Sequence, residues 1–359
     1  MRLAHLISIE DLDREAIERI LDRADSFAEV SGREIKKVPA LRGRTVVNLF
    51  YEASTRTSSS FELAAKRLSA DVVSIRSTGS SIDKGESLKD TVQTLSAYDP
   101  AAIVIRSPHA GAARLLTRWT SAAVVNAGDG KHEHPTQALL DVHTLRRRIG
   151  SLEGVRVWIV GDVLHSRVAR SNILAFARMG AEVTVCGPPT LIPPEIEALG
   201  ARARFSLADL HEADVVYVLR MQLERMRQAY VPSLREYAQL YQINSERLRA
   251  GQLLMHPGPV NRGVELSAEV IDSPWALIGE QVKAGVAVRM AVLYELLAGS
   301  RDGASAARAP TDRPAAPARS DRPAAPARSD RPAAPVPSAR RAGDRPARRS
   351  GEHALGARR

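Results

Sequence analysis

Eight short apolar runs rich in β-branched residues, each trailed by a stretch that can wind into a helix, decide the fold class of this 359-residue chain. The first series reads Thr45–Phe50, Val72–Ile75, Ala102–Ile105 and Ala123–Asn126. A helix beginning near Pro135 and stopping at Gly150 separates it from a second series, Val155–Val160, Glu182–Cys186, Asp214–Leu219 and Leu253–Met255. Strands alternating with helices pair in parallel, because each crossover returns the chain to the same end of the sheet. Two series joined by one helix predict an α/β protein with two doubly wound parallel-sheet domains linked by helices. A first helix is expected from the capping box Ser8-x-x-Asp11, with Leu12, Ile17, Ile20 and Leu21 on one face. A last helix, Gln281 to Leu297, is expected to pack back on the first domain.

Beyond residue 300 the composition changes. Residues 301–359 hold fourteen arginines, no lysine, five aspartates and one glutamate, so eight of the chain's ten net positive charges lie there. The segment lacks aromatic residues and repeats with a period of nine, Asp312-Arg313-Pro314-Ala315-Ala316-Pro317-Ala318-Arg319-Ser320, then again from Asp321. Too little apolar surface is available to offset the entropy of ordering, and the prolines forbid a helix, so a disordered C-terminal tail is expected. The basic charge therefore describes the tail, and specific nucleic-acid binding is not expected of it without aromatic residues for stacking. One cysteine excludes an internal disulfide framework and a cysteine zinc site, and it fits a reducing compartment. No run of about 18 apolar residues and no signal-peptide pattern is present, which predicts a cytoplasmic protein without a membrane span.

The candidate functional residues follow strand ends, where open α/β sheets bind ligands. Phe50 leads to Ser54-Thr55-Arg56-Thr57, where a helix start and an arginine fork suit a phosphate; the same residues also read as a hydroxyl N-cap beside a solvated arginine. His134-Pro135-Thr136-Gln137 opens another helix, so the dipole should keep the His134 ring neutral and able to donate to a carbonyl oxygen. A capping-region histidine without a role is the alternative. His132 lies nearby, but no second ligand cluster accompanies it, and no metal is expected. Arg56, Arg106, Arg167 and Arg220 all fall at sheet carboxyl ends, and Lys84 lies in a polar loop before a helix.

Together these segments resemble the catalytic chains of the aspartate carbamoyltransferase family, within the aspartate/ornithine carbamoyltransferase superfamily. The resemblance covers essentially all of residues 1–300 and rests on Phe50-Tyr51-Glu52-Ala53-Ser54-Thr55-Arg56-Thr57, Lys84-Gly85-Glu86, Asn126 to Gln137, His165-Ser166-Arg167, Arg220-Met221-Gln222 and His256-Pro257-Gly258-Pro259-x-Asn261-Arg262-Gly263. Ornithine carbamoyltransferases share the first and third, but place a cysteine in the segment corresponding to His256–Pro259. Here the sole cysteine is Cys186, in a strand candidate. Many relatives carry a second arginine after Ser-Thr-Arg-Thr; this chain has Ser58, which puts one peripheral contact in doubt.

The resemblance implies a carbamoyl-phosphate-binding domain over 1–146 completed by a C-terminal helix 282–299, an aspartate-binding domain over 147–281, and the tail over 301–359. It implies transfer of the carbamoyl group to L-aspartate, the committed step of pyrimidine (UMP) synthesis, with no cofactor or metal. Ser54, Thr55, Arg56 and Thr57 are expected on the phosphate, and Arg106, His134 and Thr57 on the carbamoyl oxygen. Gln137 and the backbone of Gly258-Pro259 are expected on the carbamoyl nitrogen, and Lys84, Arg167, Arg220 and Gln222 on aspartate. Glu52 is expected to be structural, pairing with an arginine as the domains close. A homotrimer with shared sites, alone or in a larger assembly, is implied, Ser80 and Lys84 reaching in from a neighbouring subunit. A non-catalytic homologue would lack a catalytic residue, and none of the six central ones is missing.

Overall fold

The computed structural model describes residues 3–76, 85–226 and 228–298; the tail, Ser80 and Lys84 lie outside the described residues. The first half runs α1 (Arg14–Ser31), β1 (Thr45–Phe50), α2 (Thr55–Arg67), β2 (Asp71–Arg76), α3 (Leu88–Ser96), β3 (Ala102–Ser107), α4 (Ala112–Leu116), β4 (Ala123–Asp129) and α5 (Pro135–Ile149). The second runs β5 (Arg156–Val160), α6 (Arg167–Arg178), β6 (Glu182–Cys186), β7 (Ala201–Arg204), β8 (Val215–Val218), α7 (Leu234–Tyr241), β9 (Leu253–Met255), α8 (Ala268–Ile271) and α9 (Ile278–Leu297).

Two sheets result, ordered β2-β1-β3-β4 and β7-β6-β5-β8-β9, with every strand pair parallel. The inner strands lack polar alternation because both of their faces are covered, whereas the edge strands β2 and β7 are partly exposed. In the first sheet Val47, Leu49, Ile103 and Ile105 face α3 and α4, while Val46, Phe50, Ala102 and Val104 join the core of α1, α2, α5 and α9. In the second, Ile159 and Tyr217 turn toward α6, and Trp158, Val160 and Val218 toward α7 and α8.

The last helix returns to the first half, where α9 packs on α1, α2 and α5. Its Val288, Met290, Val292 and Leu293 are fully buried. Each such side chain contributes about 1.5–3 kcal/mol relative to exposure, so α9 is a principal support of the first layer.

Two expectations need correction. The first helix begins at Arg14, with Asp13 as N-cap accepting from the Ala16 N–H at 2.7 Å. Ser8 instead donates its hydroxyl to buried Glu133 in the loop before α5, a partner 125 residues away that no local pattern announces. Strand β7 was not expected: it reads Ala-Arg-Ala-Arg on the sheet edge, where one covered face and small apolar residues suffice.

Candidate functional site

Strand order places the site. The order in which strands are added reverses between β1 and β3 in the first sheet, and between β5 and β8 in the second. Crevices at such points lie beyond the carboxyl ends of the strands. Both open into one cleft of about 1430 Å³. All twelve of the described site candidates line it, from Ser54 in the β1–α2 loop to Pro259 after β9.

On the β1 side, Ser54 is the extended N-cap of α2 and makes no side-chain cap bond. The first-turn N–H groups and the hydroxyls of Ser54 and Thr55 are therefore available to an anion. Arg56 reaches into the same space, its guanidinium lowered from the ordinary range by burial and by nearby Arg220. Gly258 faces it with φ +64°, and a Cβ built there would lie 2.9 Å from the Arg56 guanidinium carbon. Only glycine both adopts that backbone and leaves the fork its place.

Arg106, next to last in β3, and His134, the N-cap of α5, face the same floor. Burial and Arg167 push the Arg106 guanidinium down to about 9, with Glu52 opposing. His134 is lowered well below the usual histidine range, first by burial and then by Arg106, Arg289, Arg167 and Arg225. The shift favours the neutral ring, and its causes are desolvation first and the surrounding cations second. Its backbone is pinned: the His134 N–H donates to Ser171 Oγ at 2.8 Å, and Ser171 donates to Glu133 at 2.9 Å.

One turn further along α5, Gln137 Nε2 donates to Asp141 Oδ1 at 3.0 Å. Asp141 is fully buried and also accepts from Gln281 at 2.7 Å, Tyr217 at 2.7 Å and Asn172 at 3.0 Å. Burial pushes this carboxyl up to about 6, four donors notwithstanding.

The opposite wall comes from the second sheet. Arg167 starts α6 and pairs with Glu52 from the β1–α2 loop, while its buried Nη1 has no hydrogen-bond partner among the described residues. Gly128, at φ +117°, lets that side chain pass; a Cβ there would come within 3.0 Å of Nη1. Glu52 also pairs with Arg106 at 3.2 Å and Arg225 at 3.6 Å. Arg225 donates to the carbonyls of His165 at 3.1 Å and Gly130 at 3.3 Å, tying both halves to one loop. Asp162 accepts from the Gln222 N–H at 3.1 Å and contacts His165 Nδ1 at 2.8 Å, which fixes the approach of Gln222. Arg220 pairs with Glu224 and donates to Gln222 Oε1 at 3.2 Å.

Three residues of the cleft escaped the sequence reading. Arg225 follows the recognised Arg220-Met221-Gln222 by three positions, and its charge was the only available signal. Arg289 lies buried in α9 over the Phe61 ring at 5.1 Å, and Gln281 is one turn into the same helix. Both sit in a stretch read as packing alone. His132 contacts Asp129 at 3.1 Å, and among the described residues no group of three or more His, Cys, Asp or Glu could hold a metal ion. Nor, among them, is any helix long and apolar enough to cross a membrane.

The carbamoyl-P binding domain of the aspartate/ornithine carbamoyltransferases matches residues 4–147, and the Asp/Orn binding domain of the same family matches residues 153–296. The chain is 59% identical over 298 residues to the aspartate carbamoyltransferase catalytic subunit of Pelotomaculum thermopropionicum, covering 82% of this chain and 96% of that one. It is 56% identical over 305 residues to that of Salinispora arenicola, covering 83% and 99%. Among solved structures it is similar to aspartate transcarbamoylase from Trypanosoma cruzi in complex with carbamoyl phosphate, with a TM-score of 0.75, 31% identity and coverage of 82% and 96%. The catalytic subunit of M. jannaschii aspartate transcarbamoylase gives 0.72 and 37%, covering 82% and 98%.

Proposed function

The chain belongs to the aspartate/ornithine carbamoyltransferase family, and from that premise we propose that it transfers the carbamoyl group of carbamoyl phosphate to the amine of L-aspartate. The protein is an enzyme, a carbamoyltransferase of pyrimidine biosynthesis, and its products are carbamoyl aspartate and phosphate. The observation that carries this reading is the shared cleft: a helix-start anion cradle on the β1 side faces three arginines, Arg167, Arg220 and Arg225, on the other.

The residue roles in this proposal are those the family resemblance implies, and their gathering in one cleft supports them. The α2 N-terminus with Ser54, Thr55, Arg56 and Thr57 holds the phosphate. Arg106, Thr57 and neutral His134 donate to the carbamoyl oxygen as it takes on charge, where preorganised donors in a dry site lower the barrier most. Gln137 and the backbone of Gly258 and Pro259 accept from the carbamoyl nitrogen. Arg167, Arg220 and Gln222 hold the two carboxylates of aspartate and aim its amine at the carbonyl carbon. Attack forms the C–N bond, and collapse of the tetrahedral intermediate breaks the C–O bond to phosphate. Glu52 is charge-neutralising scaffold for Arg106, Arg167 and Arg225.

Aspartate rather than ornithine fits the cationic wall, which would repel a second ammonium, and fits the absence of cysteine near His256. The first domain would comprise 1–146 with 282–299, and the second 147–281. A cytoplasmic homotrimer, in which Ser80 and Lys84 complete a neighbour's site, is the assembly this reading carries. The test is carbamoyl transfer with aspartate and ornithine side by side, on the full chain and on one ending before residue 301. Turnover is expected with aspartate alone; transfer to ornithine but not aspartate would overturn the specificity.

A further inference from the structure

We propose that Asp141 is a positioning residue for the carbamoyl amine: its carboxylate turns the Gln137 amide so that the carbonyl oxygen, and not the NH2 group, faces the cleft. This rests on the carbamoyl-transfer reading above and adds to it the group that sets which end of Gln137 the substrate meets.

An amide side chain offers two donors at one end and an acceptor at the other, and only its surroundings decide which end points where. An ionised carboxylate can only accept. Asp141 Oδ1, 3.0 Å from Gln137 Nε2, therefore holds the amide NH2 inward, which leaves Gln137 Oε1 toward the cleft that the residue lines. A carbamoyl NH2 needs acceptors, so this is the productive orientation. A flipped Gln137 would set donor against donor at the substrate and leave the buried carboxylate facing an oxygen.

The same oxygen controls the second acceptor. Gln281 Nε2 donates to Asp141 Oδ1 at 2.7 Å, which by the same logic turns Gln281 Oε1 away, where it accepts the His256 N–H at 3.0 Å. His256 Nδ1 in turn accepts the Gly258 N–H at 2.8 Å. One carboxylate oxygen thus orients both Gln137 and the turn carrying Gly258 and Pro259. The other, Oδ2, accepts from Tyr217 on β8 and Asn172 on α6, which belong to the scaffold. Oδ1 serves the site and Oδ2 the fold.

The experiment compares two ligands that differ only at the group in question. Carbamoyl phosphate carries the NH2; acetyl phosphate keeps the phosphate and carbonyl and has a methyl in its place. Asp141→Asn is expected to raise the KM for carbamoyl phosphate on the order of tenfold, the equivalent of one lost hydrogen bond. Inhibition by acetyl phosphate is expected to stay at the wild-type level. In the Gln137→Ala background Asp141→Asn should cost clearly less than it does alone, because residues acting through one another are not additive and only the arm through Gln281 remains. Equal weakening of both ligands, or additive losses in the double variant, would overturn the role and leave Asp141 as scaffold. Should Asp141→Asn lack a cooperative melting transition, Gln281→Met tests the second arm of the same carboxylate oxygen while keeping the Gln137, Tyr217 and Asn172 bonds: a smaller loss confined to carbamoyl phosphate is expected, and equal weakening of both ligands would overturn the role. Wild-type turnover of carbamoyl phosphate with aspartate is the control for the parent reading; its absence would overturn that reading and this inference with it.

Discussion

A Cβ added to Gly258 would lie 2.9 Å from the guanidinium carbon of Arg56, although the two residues are separated by two hundred positions and belong to opposite halves of the chain. The turn after β9 therefore forms one side of the slot in which the phosphate-side arginine rests. Gly258→Ala would strain a backbone at φ +64°, costing about 1–2 kcal/mol, and push the guanidinium off its line. We expect a higher KM for carbamoyl phosphate, with the KM for aspartate less affected. Steady-state kinetics with each substrate varied in turn checks this.

Glu52 neutralises three arginines at once. Glu52→Gln leaves Arg106, Arg167 and Arg225 crowded without a counter-charge. Charged hydrogen bonds are worth about 1.5–3 kcal/mol each, so a loss on the order of 2 kcal/mol in stability is expected, together with lower kcat. Denaturant midpoints and initial rates measure both; an unchanged midpoint would contradict the assignment of Glu52 as scaffold.

The acid behaviour of His134 has a definite sign. Its native value lies well below the ordinary one of about 6.5, so below that pH the unfolded chain binds a proton that the native site refuses. The stability this residue supports is present above about pH 6.5 and lost as pH falls. The wild-type denaturation free energy should therefore drop on acidification more steeply than that of His134→Asn. NMR titration should find no His134 protonation near 6.5.

Asp13→Ala and Ser8→Ala separate a true cap from a false one. Loss of the Asp13 cap should cost about 0.5–2 kcal/mol of stability and leave kinetics alone. Ser8→Ala deprives buried Glu133 of a donor, at about 1–3 kcal/mol, and loosens the Glu133–Ser171–His134 chain. A lower kcat is expected only for the second variant.

If sites are shared between subunits, chains carrying Lys84→Ala and chains carrying Arg56→Ala should be inactive apart and partly active when mixed and reassembled. Activity that never returns on mixing would sink the shared-site proposal.

What the sequence made legible follows from how local each signal is. Thr45–Phe50, Glu182–Cys186 and Leu253–Met255 coincide with strands because strands covered on both faces are predominantly apolar and β-branched. The helix from Pro135 to Gly150 was readable from a proline at its start and a glycine at its cap. Arg56, Arg106, Arg167 and Arg220 were readable because each lies at or shortly after a strand end. Strand β7 was not, because an edge strand of alternating alanine and arginine carries no hydrophobic run. Nor were Gln281 and Arg289, whose roles arise when α9 returns to a layer built from residues far upstream. Ser8 illustrates the same limit in reverse: a correct capping pattern was drawn away by a long-range carboxylate.

That return of α9 also sets a timetable for the growing chain. Helices α1, α2 and α5 are synthesised early, but the helix that covers their shared face comes roughly 150 residues later than the end of α5. At about 5–20 residues per second, an apolar surface waits on the order of 8–30 s for its cover. Meanwhile the β5–β9 layer emerges whole and can pack its own sheet. The part of the molecule made first is thus finished last, and that interval is when a nascent chain of this architecture most needs protection from its neighbours.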